Sequence, residues 1–296
     1  MWYCPIIKTK PFGCEHNPQS KYLVLGIPLD NSASYRPGTR FAPSYIREAS
    51  CNIEFYSIYA NIDVDNILYN DLGDLAVVPG DNEKSIKIIE EAVEIISEKY
   101  NDHVLFVLGG EHTLTYGVIK GIKNVHKEVG YIVFDAHLDL RENYLGYKLG
   151  HASTNRLITE LLDIKPLIIG ARAFSSEELN YANKQNIPFI KPKEINDKTS
   201  LDIIQDYLST VKHVYISIDM DSIDPAYAPG VSNPEPLGLT PSDLLSVLKY
   251  IIENSSRILG IDIVEVNPLY DVSDITSILA AKIIVEATGM IQLNFS

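Results

Sequence analysis

The stretch Gly130-Tyr131-Ile132-Val133-Phe134-Asp135-Ala136-His137-Leu138-Asp139 decides the fold. Tyr131 to Phe134 are continuously apolar and β-branched or aromatic, which suits a strand covered on both faces in a parallel sheet. The run ends abruptly in Asp135, His137 and Asp139. An extended continuation of the strand would turn these three side chains the same way. Such a polar end belongs at the carboxyl edge of an open α/β sheet, where loops form a ligand crevice. Two carboxylates and an imidazole converging there ask for a counter-cation. An isolated Asp-x-His-x-Asp also fits a solvated strand end with capping aspartates, so the other strands have to decide.

Working outward, the pattern recurs. A buried run over 104–108 ends in Gly109-Gly110-Glu111-His112-Thr113, one over 214–218 ends in Asp219-Met220-Asp221, and one over 260–264 ends in Glu265. Further strands are expected at 22–27 and 167–170. Amphipathic helical periods fall between them, at 82–100, 153–162 and 201–208. Pro43 opens a short helix; Thr113 or Thr115 is positioned to cap one running to Ile122. Ser175 with Glu178 has capping-box spacing, Thr240-Pro241 starts another helix, and a last one is expected over 274–287. Asp71-Leu72-Gly73-Asp74 is a turn-rich stretch to which the sequence assigns no role. Alternation of buried strand and amphipathic helix predicts a single-domain α/β/α sandwich with a mostly parallel sheet, spanning 1–296.

The totals agree with this reading. With 296 residues, 46% hydrophobic and 22% charged, the chain can bury one large core, and no linker-like segment divides it. A formal net charge of -14 argues against nucleic acid and anionic membrane as partners and favours a small cationic ligand. Cys4, Cys14 and Cys51 lack metal-finger spacing. The opening Met-Trp-Tyr-Cys-Pro lacks a basic-then-apolar pattern, and no uninterrupted apolar run approaches the ~18 residues of a membrane span. A reducing cytoplasm is the expected location.

Four expected strands thus deliver His112, then Asp135, His137 and Asp139, then Asp219 and Asp221, then Glu265 to one edge. Two imidazoles and four aspartates exceed one tetrahedral zinc but suffice for two ions with bridging carboxylates. Nitrogen and oxygen without sulfur suits Mn(II), with Fe(II), Co(II) or Zn(II) as substitutes. Two divalent ions cancel four aspartate charges; a hydroxide and Glu265 leave the site about two units negative, which welcomes a cation.

In order, Gly-Gly-Glu-His-Thr, Asp-Ala-His-Leu-Asp, Ser-Ile-Asp-Met-Asp-Ser-Ile-Asp-Pro and Asp-Ile-Val-Glu-Val-Asn-Pro resemble the ureohydrolase family of arginases and agmatinases. The likeness runs from Gly26-Ile-Pro-Leu-Asp and Arg36-Pro-Gly-Thr-Arg-Phe-Ala-Pro43 to Glu265. It implies two Mn(2+) per chain, one on His112, Asp135, Asp139 and Asp219, the other on Asp135, His137, Asp219 and Asp221. It further implies a metal-bridging hydroxide that attacks a guanidinium carbon, with Asp139 accepting its hydrogen bond. Glu265 would hold the guanidinium, and His151 would pass a proton to the leaving amine. Family members are commonly trimers or hexamers, so a homo-oligomer is implied. Two positions depart from the pattern: Glu111 stands where the family usually has Asp, and Ala152 where it usually has Gly. Glu111 and Asp224 read as supporting groups; His16, His103, His126 and His213 sit in no motif.

The stretch Asp139-Leu140-Arg141-Glu142-Asn143-Tyr144-Leu145-Gly146 resembles the agmatinase branch, which implies agmatine as substrate and putrescine and urea as products. Arg141 would repel an amine tail unless Glu142 or another acid neutralises it, and would suit a carboxylate tail. Aminopropylagmatine, 4-guanidinobutyrate, arginine and formimidoylglutamate therefore stay as alternatives. Tyr144 and Tyr147 could close over an aliphatic chain. Two rivals of other classes are a non-catalytic relative serving as scaffold or regulator, and a one-zinc deacetylase, which needs fewer carboxylates.

Overall fold

The computed structural model describes residues 6–7 and 9–294, so Cys4 and the opening five residues lie outside it. The strands are β1 (Ile6–Ile7), β2 (Tyr22–Ile27), β3 (Tyr56–Ser57), β4 (Ile62–Asp63), β5 (Asn70–Leu75) and β6 (Val104–Gly109). They continue with β7 (Val129–Phe134), β8 (Pro166–Ile169), β9 (Phe189–Ile190), β10 (His213–Asp219) and β11 (Ile258–Val264). The α-helices are α1 (Ala42–Ser50), α2 (Asn82–Lys99), α3 (Thr113–Val125), α4 (Thr154–Leu162), α5 (Ser176–Gln185), α6 (Lys198–Ser209), α7 (Pro241–Asn254) and α8 (Ile275–Asn294). Nine strands form one sheet in the order β1-β5-β2-β6-β11-β10-β7-β8-β9, and β3 and β4 form a separate ribbon. Within the large sheet only the β1–β5 pair is antiparallel among the described residues.

The continuous apolar strands are covered on both sides, as their composition requires. Alternate residues of each strand enter opposite cores. Ile132, Phe134, Ile216 and Ile218 meet α1, α6, α7 and α8. Tyr131, Val133, Leu105 and Val107 meet α2, α3, α4 and α5. The molecule is thus a three-layer α/β/α fold, as expected. Helix α8 is long and apolar enough to cross a membrane by length and composition, but 72% of its 18-residue window is buried inside the protein, so here it is a core helix.

Local chemistry explains most element ends. Ser175 and Thr240 form reciprocal capping boxes with Glu178 and Asp243. Four expectations are corrected or completed. The turn-rich stretch Asp71 to Asp74 lies in β5, where Arg47 takes Asp71 in a two-pronged grip at 2.8 and 2.9 Å and Asp74 at 2.6 Å. Buried aspartates in a strand are stable only when paired in this way. Neither Thr113 nor Thr115 caps α3; their hydroxyls donate instead to Glu111 and Asp262. Helix α8 continues to Asn294, seven residues beyond the expected end at Ala287. Finally, β7 stops at Phe134, and Asp139 has left-handed backbone (φ 50°), so the three polar residues after it do not extend the strand.

Candidate metal centre and catalytic site

Parallel register sets the polar ends level. Ile218 pairs with Phe134 and Asp219 with Val264, so Asp135, Asp219 and Glu265 each fall at the carboxyl edge of adjacent strands. On the next strand Gly110 accepts from the Glu265 N–H at 2.9 Å. Gly110 admits no side chain, since a Cβ there would lie 1.9 Å from the Leu29 carbonyl oxygen. Asp139 and Glu265 both have positive φ, 50° and 62°. Non-glycine residues held there carry strain that the surrounding fold must impose.

All six expected ligands converge. His112 Nδ1 lies 3.2 Å from Asp135 Oδ2, 3.0 Å from Asp139 Oδ2 and 3.5 Å from Asp219 Oδ2. His137 Nδ1 lies 3.5 Å from Asp135 Oδ1 and 3.0 Å from Asp221 Oδ2. Two groups, His112 with Asp135 and Asp219, and Asp135 with His137 and Asp221, each bring their donor atoms within 4.8 Å. Asp135 belongs to both. The buried atoms His112 Nδ1 and Asp135 Oδ2 have no hydrogen-bond partner among the described residues. Orphaned buried donors and acceptors are rare unless something else satisfies them.

The electrostatics demand positive charge. Burial opposes a charged His112, yet Tyr131 and the carboxylates of Asp135 and Asp139 hold its pKa well above the ordinary imidazole value. His137 is raised in the same way against its burial, by Asp221 and Asp135. Burial pushes the Asp139 carboxyl up to about 7, helped by the Asp135 charge. The donor set of nitrogen and oxygen, with one carboxylate shared, fits a pair of divalent cations.

A relay fixes the tautomer of His112. The Ser217 hydroxyl donates its one proton to buried Asp262, so at 3.1 Å it accepts from His112 Nε2–H. With Nε2–H committed to Ser217, Nδ1 is the nitrogen that would give up its proton and offer a lone pair to a cation held by the carboxylates. Asp262 also accepts from Tyr215 and Thr115, at 2.9 and 2.8 Å. Ser217 and Asp262 were not singled out from the sequence. Their signal is a lone charge inside the apolar run Gly260-Ile261-Asp262-Ile263-Val264.

Glu111, as expected, supports rather than ligates. Its carboxylate accepts from the backbone N–H of Asn31 and Ser32 and from the hydroxyls of Ser32 and Thr113. Having given its proton to Glu111, the Ser32 hydroxyl accepts from His151 Nδ1–H at 3.1 Å. His151 Nε2 is then free to accept from Ser34, 3.2 Å away. Burial, with the nearby His137 and His112 charges, lowers the His151 pKa to about 4. Glu265 Oε1 accepts the His112 N–H at 2.8 Å, and burial raises its carboxyl to about 8. Asp224 holds a turn, accepting from Ala226 and Gly238.

A cavity of about 330 Å³ opens over the cluster. His137, Asp139, His151, Arg141 and Tyr144 line it, along with Ser34, Glu178, Asn233 and Glu235; the other ligands and Glu265 are buried behind this wall. Arg141 faces Glu178 with Nε 3.6 Å from Oε2 and lies over the Tyr144 ring at 4.7 Å. Glu142 instead sits 3.7 Å from Arg156. The neutralising acid is thus Glu178, 37 positions downstream of Arg141 and invisible to a reading of neighbours along the chain.

A catalytic hydrolase with a carboxyl-edge cluster of this kind is what the fold and site define. The Arginase family model matches residues 20–289, and the chain belongs to that family. It is 35% identical to the agmatinase of Pyrococcus horikoshii over 269 residues, covering 91% of each chain. It is 32% identical to the N(1)-aminopropylagmatine ureohydrolase of Thermococcus kodakarensis, covering 92% of this chain and 91% of the relative. The agmatine ureohydrolase of Thermoplasma volcanium superposes with a TM-score of 0.85 at 34% identity, covering 97% of this chain and 96% of that one.

Proposed function

We propose that the protein hydrolyses the guanidinium group of agmatine to putrescine and urea, with two Mn(2+) held by His112, Asp135, His137, Asp139, Asp219 and Asp221. The observation that carries this reading is the pair of His/Asp groups sharing buried Asp135, with unpartnered donors turned inward. When bound, paired divalent ions supply Lewis acidity and make hydroxide available near neutral pH. Asp139, on the cavity wall, accepts a hydrogen bond from the attacking hydroxide. Glu265 has one oxygen committed to the His112 N–H and offers the other to the guanidinium. His151 is neutral at pH 7 and presents Nε2 as an acceptor toward Ser34, so it would first take up the proton that the nucleophilic water gives up and then pass it to the leaving amine. Arg141, paired with Glu178, does not repel an amine tail.

Aminopropylagmatine is the second reading, supported by the Thermococcus relative's name. Urea release from the Mn(II)-loaded protein, offered agmatine, aminopropylagmatine, 4-guanidinobutyrate, arginine and formimidoylglutamate side by side, separates these. Agmatine should lead. A carboxylate-bearing winner would give Arg141 to the substrate, and silence on all five would favour the scaffold or regulator. One zinc per chain, instead of two manganese, would revive the deacetylase.

We further propose one catalytic domain over 1–296 and assembly as a trimer or hexamer, which sedimentation as a monomer would contradict. The expected absence of nucleic-acid and membrane partners stays a proposal resting on the net charge of -14. So does the cytoplasmic location, and here the structure offers a contrary sign: Cys14 and Cys51 form a disulfide, a bond that reducing compartments rarely keep. Thiol labelling of protein taken directly from cells tests it.

A further inference from the structure

Three carboxylates line the cavity: Asp139, Glu178 and Glu235. They are not equally available to a ligand. Asp139 lies 3.0 Å from His112 Nδ1 and belongs to the cluster. Glu178 spends Oε2 on the N–H and hydroxyl of Ser175 and Oε1 on the Leu140 N–H, and it also faces Arg141. The Glu235 carboxylate is the least committed of the three: its one partner among the described residues is the His137 imidazole, whose contact holds the Glu235 pKa below the ordinary value. Its ionic neighbour is His137 Nε2, at 3.8 Å, and 38% of the side chain stays open to solvent.

The backbone that carries Glu235 is nonetheless fixed. Arg172 donates to the carbonyls of Glu235 and Pro236 at 2.6 and 2.9 Å. The same guanidinium donates to the carbonyls of Asp221 and Ser222 at 2.7 and 3.1 Å. One arginine therefore locks the Glu235 loop to the turn that bears a metal-ligand candidate. A carboxylate with one long contact and open solvent exposure, carried on a locked backbone, can fix a ligand's charge at low ordering cost.

The cavity that opens over the cluster is the room available to the other end of a substrate whose guanidinium reacts there, and Glu235 lines it. We propose that Glu235 pairs with the distal ammonium of a guanidinoalkylamine and so sets the preference for amine-tailed over carboxylate-tailed substrates, an inference that rests on the ureohydrolase reading above.

Calorimetric titration of the Mn(II)-loaded protein with putrescine, wild type against Glu235→Gln, tests this without turnover. Putrescine should bind roughly tenfold or more weakly to the variant, as loss of a charge-assisted contact implies. In parallel kinetics the KM for agmatine should rise by a similar factor with kcat little changed. The ratio of kcat/KM for agmatine over 4-guanidinobutyrate should fall accordingly, and Glu235→Asp should recover part of it. Metal content measured by plasma emission should match in all three proteins. Unchanged putrescine binding overturns the inference, as does no putrescine binding by the wild type. A variant that loses metal and slows both substrates alike overturns it too, assigning Glu235 to the orientation of His137. If putrescine binding depends on Glu235 while the wild type releases no urea from any guanidine, the hydrolase reading falls and the ammonium site stands.

Discussion

At the scale of the residue, Asp135 and Asp219 give the sharpest test of the proposed metal pair. Asp135→Asn and Asp219→Asn each remove a full charge from a buried cluster whose imidazoles are already held for positive charge. Either variant should lose most bound metal and retain under about 1% of urea release; full turnover with two metals would sink the ligand map. His151 gives a separate test through pH. Its folded pKa of about 4 lies below the ordinary 6.5, so the unfolded chain binds that proton more strongly. Stability from this group is complete above pH 6.5 and is lost as pH falls from 6.5 toward 4. The loss is on the order of 2 kcal/mol for a partly buried imidazole. Chemical denaturation of the metal-free protein should show that acid loss in the wild type and a smaller one in His151→Asn. The same variant should keep its metals while turning over about 10²-fold or more slowly. An unfolded variant would instead give His151 a structural role.

Between residue and molecule, the elements show what a sequence can and cannot disclose. His112, Asp135, Asp219 and Glu265 were legible because apolar strands announce their own ends, and parallel register then brings those ends level. Asp71 and Asp74 had no legible role, because their partner Arg47 lies on a helix and local composition says nothing of it. Glu178 was read as a helix cap, which it is, but its second contact with Arg141 depends on how α5 meets the loop after β7. Glu235 and Arg172 carried no local signal at all, since their roles come from two loops meeting across strand ends. Asp262 was visible only as an acid in an apolar strand. Because it terminates the Ser217–His112 relay, Asp262→Asn should weaken metal affinity by about 10- to 100-fold with the fold retained. Metal-competition titration checks this, and wild-type affinity would show that the relay does not orient His112.

For the whole molecule, the question is what holds the amino-terminal segment to the sheet edge formed by β1 and β5. The Cys14–Cys51 bridge spans 37 residues and joins that segment to the end of α1. Closing a loop of that length removes about 4 kcal/mol of chain entropy from the unfolded state. Other ties act in the same place: Phe12 is fully buried against Tyr69, and the Phe12 and Gly13 N–H groups donate to Asp71 and Ser50. Because these contacts survive reduction, the folded structure should persist as a dithiol, less stable but intact. The six ligand candidates all lie outside the bridged loop, whereas Ser32 and Ser34, which hold His151, lie inside it. Cys14→Ser/Cys51→Ser should therefore lose about 2–4 kcal/mol of unfolding free energy in oxidising buffer, with metal content unchanged. Thermal and denaturant unfolding with and without reductant read the effect directly. A double variant as stable as the oxidised wild type would mean that the bridge adds nothing to a segment that Phe12 and the Arg47 ion pairs already hold.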